Sequence, residues 1–424
     1  MTLNLTHIIS VCKGVFHGNS TEFTASHISI DSRSLQNGNN TLFFAIKGQN
    51  HDAHLYLEEL ISKGVRYFVV EYIPEHLYEK ANFIIVENSL KALQQTAIGY
   101  RKQFDFPFVG ITGSNGKTIV KEWLNFLLSP NHLIVRNPKS YNSQVGVPLS
   151  VLGVEGIYDF GLFETGISLP NEMSNLEHII QPKYGILTNI GSAHDEGFSN
   201  REEKIKEKIK LFENCSDIFL EKNKQIEDLL PQQIKKHTWS FTDKNATLFV
   251  TQNNKQDVTE LTFKNNDTTF SVTVPFSDEN SIENVITCVN FMLFLNEDIS
   301  FIQKRVGELY PVELRLQAKK GINNCLVIDD SYSLDYPSLK IALDFLEQQK
   351  LHDKKTIILS DIFNSGIASE TLYNQVKNLL SKNKIGRIIT IGEIINKHLK
   401  DLPNVISFAT TQEFLQQFNT QSFQ

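Results

Sequence analysis

The stretch GITGSNGKT, residues Gly110 to Thr118, holds three glycines, a lysine and a threonine within nine positions. Ahead of it, Val109 to Thr112 reads as a buried strand. Behind it, Val120, Trp123, Leu124, Leu127 and Leu128 recur at the spacing of one helical face. A glycine loop between strand and helix leaves several backbone N–H groups free at the positive end of the helix, which is a site for an anion. Lys117 can reach terminal phosphate oxygens, and the Thr118 hydroxyl can ligate a magnesium ion bound to them. The spacing GxxxxGK[ST] is not met in full, because Ile111 stands where its first glycine belongs. The bland reading is a glycine-rich turn with an incidental lysine. With strand, loop, helix and GKT in register, a nucleoside triphosphate is the expected ligand.

Around the loop, other residues could share that chemistry. Glu164 ends the apolar strand YDFGLFE, and His194 follows the strand YGILTNI. In a parallel sheet both lie at carboxyl strand ends, where ligands gather. A hard cation bridging phosphates takes carboxylate oxygen, and imidazole can complete its shell; taken alone, each is equally a strand-end glutamate or a loop histidine. In SNREEKIKEKIKLFENC, Ser199 and Glu202 have the spacing of a capping box, and Ile205, Ile209 and Phe212 form one apolar stripe. Lys206 and Lys210 face away from that stripe, whereas Lys208 falls within it and Lys204 at its edge. A lysine on a buried face is costly unless its charge is paired or changed; the alternative is a solvated basic helix whose lysine snorkels.

The elements that must hold these residues follow a clear rhythm. From Phe106 onward, strands FPFVGIT, HLIVRN, YDFGLFE, YGILTNI and DIFLEKN alternate with helical segments, which argues a parallel sheet with crossover helices. ATLFVTQ, VTELTFK and TFSVTVP read as antiparallel strands, followed by a helix from about Ile282 to Leu295. A second alternation begins after Tyr310: CLVIDDS, SLKIALDFLEQQ, KTIILSD, TLYNQVKNLL and RIITIGE. Before Phe106, TLFFAIKG and VRYFVVE read as strands and LYLEELISKG as a helix. The expected architecture is α/β with three domains: a small α/β N-terminal domain over 1–105, a central P-loop parallel-sheet ATPase domain over 106–310, and a Rossmann-like α/β domain over 311–424.

Bulk properties agree with this. A chain of 424 residues is too long for one ordinary core. A net charge of −7 gives no general surface for a polyanion, so nucleic acid is not an expected partner. Cys12, Cys215, Cys288 and Cys325 form no CxxC pair, which speaks against a disulfide framework or zinc site and for a reducing cytoplasm. The start MTLNLTHIISVCKGVF lacks the pattern of a signal peptide, and no apolar run is long enough for a membrane span.

GSNGKT in this setting resembles the ATP loop of the Mur ligase family. SYNSQVGVPLS is similar to that family's N-N-x-x-G-x-P-L, FETGIS carries Glu164 and TNIGSAHDEGF carries His194 as members do. DSRSLQNGNNTLFFAIKGQNHDAH resembles the first domain of the branch that joins D-alanyl-D-alanine to UDP-N-acetylmuramoyl-tripeptide, and VIDDSYSLDYPSL looks like its D-D-x-Y-N-A-N-P motif. SLKIALDFLEQQ and ILSDIFNSG further resemble the ligase half of a two-part bacterial protein in which an alanine racemase follows, which implies a fused racemase in a longer parent chain.

The resemblance implies an ATP-dependent amide ligase of peptidoglycan synthesis working through an acyl phosphate. It implies ATP contacts from Gly110, Thr112, Gly113, Ser114, Asn115, Gly116, Lys117, Thr118, Asn284, Arg315 and Asp330. Two magnesium ions would be held by Thr118, Glu164, His194 and a carbamylated Lys208, fourteen residues after His194; Lys117, Lys208 and His194 would be catalytic. The UDP-sugar peptide would meet Ser32, Arg33, Gly48, His51, Asp52 and His54 in the first domain and Asn142 and Ser143 in the centre. Departures are Glu283 in place of the family's histidine before Asn284, and Ser333, Leu334 and Asp335 in place of N-A-N. The chain also stops where relatives continue into a last strand and helix. Open alternatives are another Mur-type or folylpolyglutamate-like ligase, and a non-catalytic nucleotide-binding module.

Overall fold

The computed structural model describes residues 3–417 except 34, 36–37, 49–50, 139–140, 192–197, 256–257, 266–267, 311–316, 323–324, 332–333, 335, 337–338, 341, 344–345, 347–353, 363–367 and 384. His194, Arg315 and Ser333 therefore lie outside the described residues, as does most of SLKIALDFLEQQ.

The central element is a nine-stranded sheet in the order Thr268–Val274, Thr259–Asn265, Leu248–Asn254, Lys235–Ser240, Asp217–Glu221, Tyr184–Leu187, Phe108–Thr112, Phe160–Glu164, Ile134–Arg136. Its strands from Leu248–Asn254 to Ile134–Arg136 run parallel, and the last two pairings, Leu248–Asn254 with Thr259–Asn265 and on to Thr268–Val274, are antiparallel. Both the parallel rhythm and the antiparallel extension expected from the sequence are present. Lys235–Ser240 is an addition: KKHTWS has no clean apolar alternation, yet four of its six residues are buried.

Phe108–Thr112 is buried at all five positions and lies between Tyr184–Leu187 and Phe160–Glu164. The chain leaves it towards one side of the sheet and returns to the other. The loop at its carboxyl end therefore opens at the point where strand order reverses, the usual ligand crevice of such sheets. The helix Lys117–Leu128 packs Val120, Trp123, Leu124, Leu127 and Leu128 beneath the sheet, in one core with the helix Glu279–Phe294. Lys121 is also completely buried there.

A five-stranded sheet precedes this unit, ordered Val15–His17, Asn82–Ile85, Tyr67–Val70, Thr41–Phe44, His27–Ser29. One of its faces shares an apolar core with the helix Ser89–Arg101 that follows it and with the helices Gly146–Leu152 and Glu172–Ile180 of the central unit. Arg101 fixes the junction: its Nε donates to the Ile180 carbonyl at 2.9 Å and its guanidinium lies 3.8 Å over the Phe108 ring. Towards the C-terminus, Thr356–Ser360, Arg387–Ile391 and Val405–Phe408 form a parallel sheet with its own core. CLVIDDS does not join it; Leu326–Asp329 pairs antiparallel with Gln317–Lys320 in a separate two-stranded ribbon. Among the described residues no helix is long and apolar enough to cross a membrane.

One packing detail sets the position of the helix Arg201–Ile209. Two glycines on adjacent strands, Gly110 and Gly185, leave hollows that Leu211 and Phe212 fill: a Cβ at Gly185 would fall 2.3 Å from the Phe212 ring, and one at Gly110 would fall 3.2 Å from Leu211. The helix is thereby drawn down against the sheet, and Lys208 with it. Gly185→Ala is expected to cost about 1–3 kcal/mol through overpacking, read as a lowered denaturation midpoint at unchanged slope.

Candidate active site

The loop itself is built from long-range tethers. Gly116 precedes the helix with φ +81° and Gly113 has φ +153°, both costly for a residue with a side chain. A Cβ at Gly113 would fall 2.0 Å from Thr188 Oγ1, and one at Gly116 would fall 2.3 Å from Asn284 Oδ1. From the neighbouring strand end, Asn189 accepts the Asn115 N–H on Oδ1 at 2.9 Å and the Ser114 N–H on its carbonyl at 2.9 Å. Thr188 Oγ1 donates to the Asn115 carbonyl at 2.5 Å, and Ser114 Oγ to the Gly191 carbonyl at 3.1 Å.

Both expected lysines converge on this loop. Lys117 Nζ donates to the carbonyls of Gly113 at 2.9 Å and Ser114 at 3.0 Å. Lys208, only 2% exposed, donates to the same Gly113 carbonyl at 3.0 Å. The two ammonium groups thus lie within about 6 Å of each other, where like charges repel by about 3 kcal/mol at an effective dielectric near 20. The stripe reading of the helix holds: Lys204 and Lys208 are buried, while Lys206 pairs with Glu202 on the surface at 2.6 Å and Lys210 with Glu207 at 2.6 Å. The cap differs by one residue. Asn200, rather than Ser199, accepts the N–H of Glu203 at 2.9 Å, and Glu203 returns to the Ser199 N–H at 2.6 Å. A side-chain amide at position 200 serves as well as a hydroxyl, and the box shifts accordingly.

Glu164 is 1% exposed and fully engaged. Its Oε2 accepts from Thr118 Oγ1 at 2.8 Å and its Oε1 from Asn142 Nδ2 at 2.6 Å. Sequence reasoning missed the group that holds this carboxylate in place. Asn137, fully buried, accepts the Glu164 N–H on Oδ1 at 2.9 Å and donates from Nδ2 to the Glu164 carbonyl at 2.9 Å. Lys121 Nζ donates to the Asn137 carbonyl at 2.8 Å and lies 3.9 Å from Glu164 Oε2 and 3.2 Å from Glu122. Burial lowers the Lys121 pKa, against the opposing pull of Glu164 and Glu122. Among the described residues no three His, Cys, Asp or Glu side chains cluster as a metal site. The donors present beside the loop, a buried carboxylate and a hydroxyl, are hard oxygen ligands that fit a magnesium ion carried chiefly by phosphates.

Lys117 and Lys208 line a cleft of about 270 Å³ together with Asn142, Ser143 and Glu172. A second cleft of about 630 Å³, lined by His27, Asp31, Tyr141 and Glu155 among others, shares Ser143 and Val145 with it. A third, about 580 Å³ and bordered by Ser32, Arg33, Gly48, His51 and Tyr56, shares Ile30 and Asp31 with the second. Three openings thus run in series from the N-terminal sheet to the phosphate loop. In the third, Arg33 grips Asp31 with two nitrogens at 2.9 and 3.0 Å, holding that carboxyl down to about 2. Asp52 and His54 do not border it: His54 is buried, its Nδ1 on Asp52 Oδ1 at 2.6 Å and its Nε2 accepting the Glu71 N–H at 2.9 Å, which is a scaffold for the loop.

Asn284 lies against Gly116 and is buried. Its neighbour Glu283 is pushed up to about 7 by burial and by the nearby Glu221, Glu279 and Asp278. Asp330 follows the strand Leu326–Asp329, half-buried, and borders none of the three clefts.

Strand, phosphate loop, helix and a strand-end carboxylate at a switch point define an enzyme that uses the phosphates of a nucleotide. A profile of the Mur ligase middle domain matches residues 111–292. The UDP-N-acetylmuramoyl-tripeptide–D-alanyl-D-alanine ligase of Borreliella burgdorferi is 28% identical over 93% of this chain and 88% of its own length. MurF of Acinetobacter baumannii superposes with a TM-score of 0.83 at 21% identity, over 98% of this chain and 92% of that one. A MurF ligase of Thermotoga maritima, solved in complex with ADP, gives 0.74 at 20% identity over 90% and 87%. Residues 111–292 thus match the Mur ligase middle domain, and the chain as a whole is similar to ligases of that family. A fused alanine racemase finds no support among these relatives.

Two outcomes follow from the geometry. Gly116→Ala forces a Cβ into Asn284 at a left-handed position, so titration with a fluorescent ATP analogue should show at least tenfold weaker binding. Glu283 holds its proton in the folded chain up to about pH 7, whereas the unfolded carboxyl loses it near 4.5. The folded state therefore binds more protons in that window, and stability falls as pH rises from 4.5 to 7. Glu283→Gln should flatten the fall and gain on the order of 2 kcal/mol at pH 8, in melts at both pH values.

Proposed function

We infer that this chain joins D-alanyl-D-alanine to UDP-N-acetylmuramoyl-tripeptide at the expense of ATP, giving ADP and phosphate, in peptidoglycan precursor synthesis. The observation that carries the reading is the meeting of Lys117 and Lys208 at the Gly113 carbonyl, beside a cleft that shares Ser143 and Val145 with a second, which shares Ile30 and Asp31 with a third at the N-terminal sheet. A precursor with a nucleotide at one pole and a carboxylate at the other suits openings in series. Ser32, Arg33, Gly48 and His51 would border its UDP end, with Asp52 and His54 behind them, and Asn142 and Ser143 its peptide end. The N-terminal sheet supports this over a folate-type ligase.

In the first step a terminal carboxylate oxygen of the precursor attacks the γ-phosphorus of ATP, and ADP leaves. The amine of D-alanyl-D-alanine then attacks the acyl carbon and gives up a proton, and the C–O bond breaks with its electron pair leaving on phosphate. Backbone N–H groups of Gly116, Lys117 and Thr118, where the helix begins, would receive the phosphates, while Lys117 swings from the Gly113 and Ser114 carbonyls onto their oxygens. Glu164 and Thr118, with His194 and Lys208, would hold two magnesium ions, which when bound neutralise the phosphate charge. Carbamylation of Lys208 turns one of two crowded cations into an anion and relieves their repulsion. Asn284, Arg315 and Asp330 would contact ATP. The three units are taken as residues 1–105, 106–310 and 311–424, and the setting as the cytoplasm.

Phosphate release should require ATP, the tripeptide precursor and D-alanyl-D-alanine together. Lys117→Ala should lower kcat by at least about 100-fold. Lys208→Ala should be equally damaging, with short carboxylic acids restoring part of the rate if the anion is what matters; an active Lys208→Ala enzyme, indifferent to bicarbonate, would exclude the modified lysine.

A further inference from the structure

The cleft at the phosphate loop is lined by two cations, Lys117 and Lys208, and by Glu172, which is the sole acid among the described residues lining it. Glu172 opens the helix Glu172–Ile180. Its Oε2 accepts two backbone N–H groups, from Ser168 at 2.7 Å and Leu169 at 2.9 Å, so the side chain is fixed across the turn. No further hydrogen bond or ion pair reaches this carboxylate among the described residues, which leaves Oε1 available.

The floor beside it is rigid as well. Gln144 Nε2 donates to the Glu172 carbonyl at 3.0 Å, and Gln94 Nε2 donates to Gln144 Oε1 at 3.1 Å. A carboxylate pre-set in this way loses little freedom when it binds, which favours a charged partner over water.

We propose that Glu172 anchors an ammonium group of a substrate, in the cleft where Lys117 and Lys208 receive phosphate and carboxylate. This rests on the ligase reading above. Two substrate amines could supply the group: the amino terminus of the incoming dipeptide, which must come to this cleft to react, and a side-chain amine on the third residue of the precursor's peptide. Either finds a fixed negative charge in the same cleft as the lysines, so the anionic and cationic ends of the substrates have separate partners before reaction.

Glu172→Gln separates charge from shape, because a glutamine Oε1 can still accept from Ser168 and Leu169. Steady-state phosphate release is measured with each of the three substrates varied in turn. The KM of one amine-bearing substrate should rise at least tenfold, with kcat and the KM for ATP within twofold of wild type. A rise confined to D-alanyl-D-alanine assigns the anchor to the attacking amine; a rise confined to the precursor, absent with a precursor lacking the side-chain amine, assigns it to the peptide stem. Unchanged KM values, a fall in kcat alone, or a parallel rise that includes ATP would overturn the proposal. So would a neutral Glu172→Gln beside a damaging Glu172→Ala, which would leave Glu172 only its turn. Wild-type protein that releases no phosphate with all three substrates would instead refute the ligase reading.

Discussion

One carbonyl oxygen, that of Gly113, receives two lysine ammonium groups. Much of the surrounding structure serves that meeting. Lys117 arrives because the loop turns into a helix at Gly116, which only a residue without a side chain can manage beside Asn284. Lys208 arrives from more than 90 residues along the chain, carried by a helix that Leu211 and Phe212 press into the hollows at Gly110 and Gly185. Two positive charges so close in a buried place are tolerable where anions come and go. The electrostatic arrangement and the chemistry are therefore one constraint, and the glycines in the strands are as much part of it as those in the loop.

Behind the loop a second layer fixes direction. Glu164 faces the loop with both oxygens bonded, and Asn137 binds the same residue through its main chain. Lys121 then binds Asn137 from within the helix that begins at the loop. The circuit runs from strand to loop to helix and back. A displacement at any member is passed to the others by bonds under 3 Å, which lets a strand end and a loop on different segments act as one surface.

What the sequence made legible was mostly local. The loop, the apolar face from Val120 to Leu128, the parallel rhythm and the buried setting of Lys208 all follow from spacing within a dozen residues. Asn137, Lys121, Thr188 and Asn189 were illegible because their roles come from partners 16 to 74 residues away: nothing beside NPKS marks its asparagine as the strut of a distant glutamate. Lys121 sits in a helical face as a cation among leucines, and only the fold reveals the carbonyl it reaches. The helix cap slipped by one residue because Ser199 and Asn200 can both cap, and local chemistry does not choose between them. CLVIDDS reads as a strand and is one, but its partner is antiparallel, which no single strand announces.

The clefts that meet at Asp31 and again at Ser143 give the molecule a built-in ruler. A ligand seated at one end is measured by whether its far end arrives beside Lys117. Truncated precursors would occupy a compartment without spanning the series, so selectivity can arise from reach as much as from contacts at either pole.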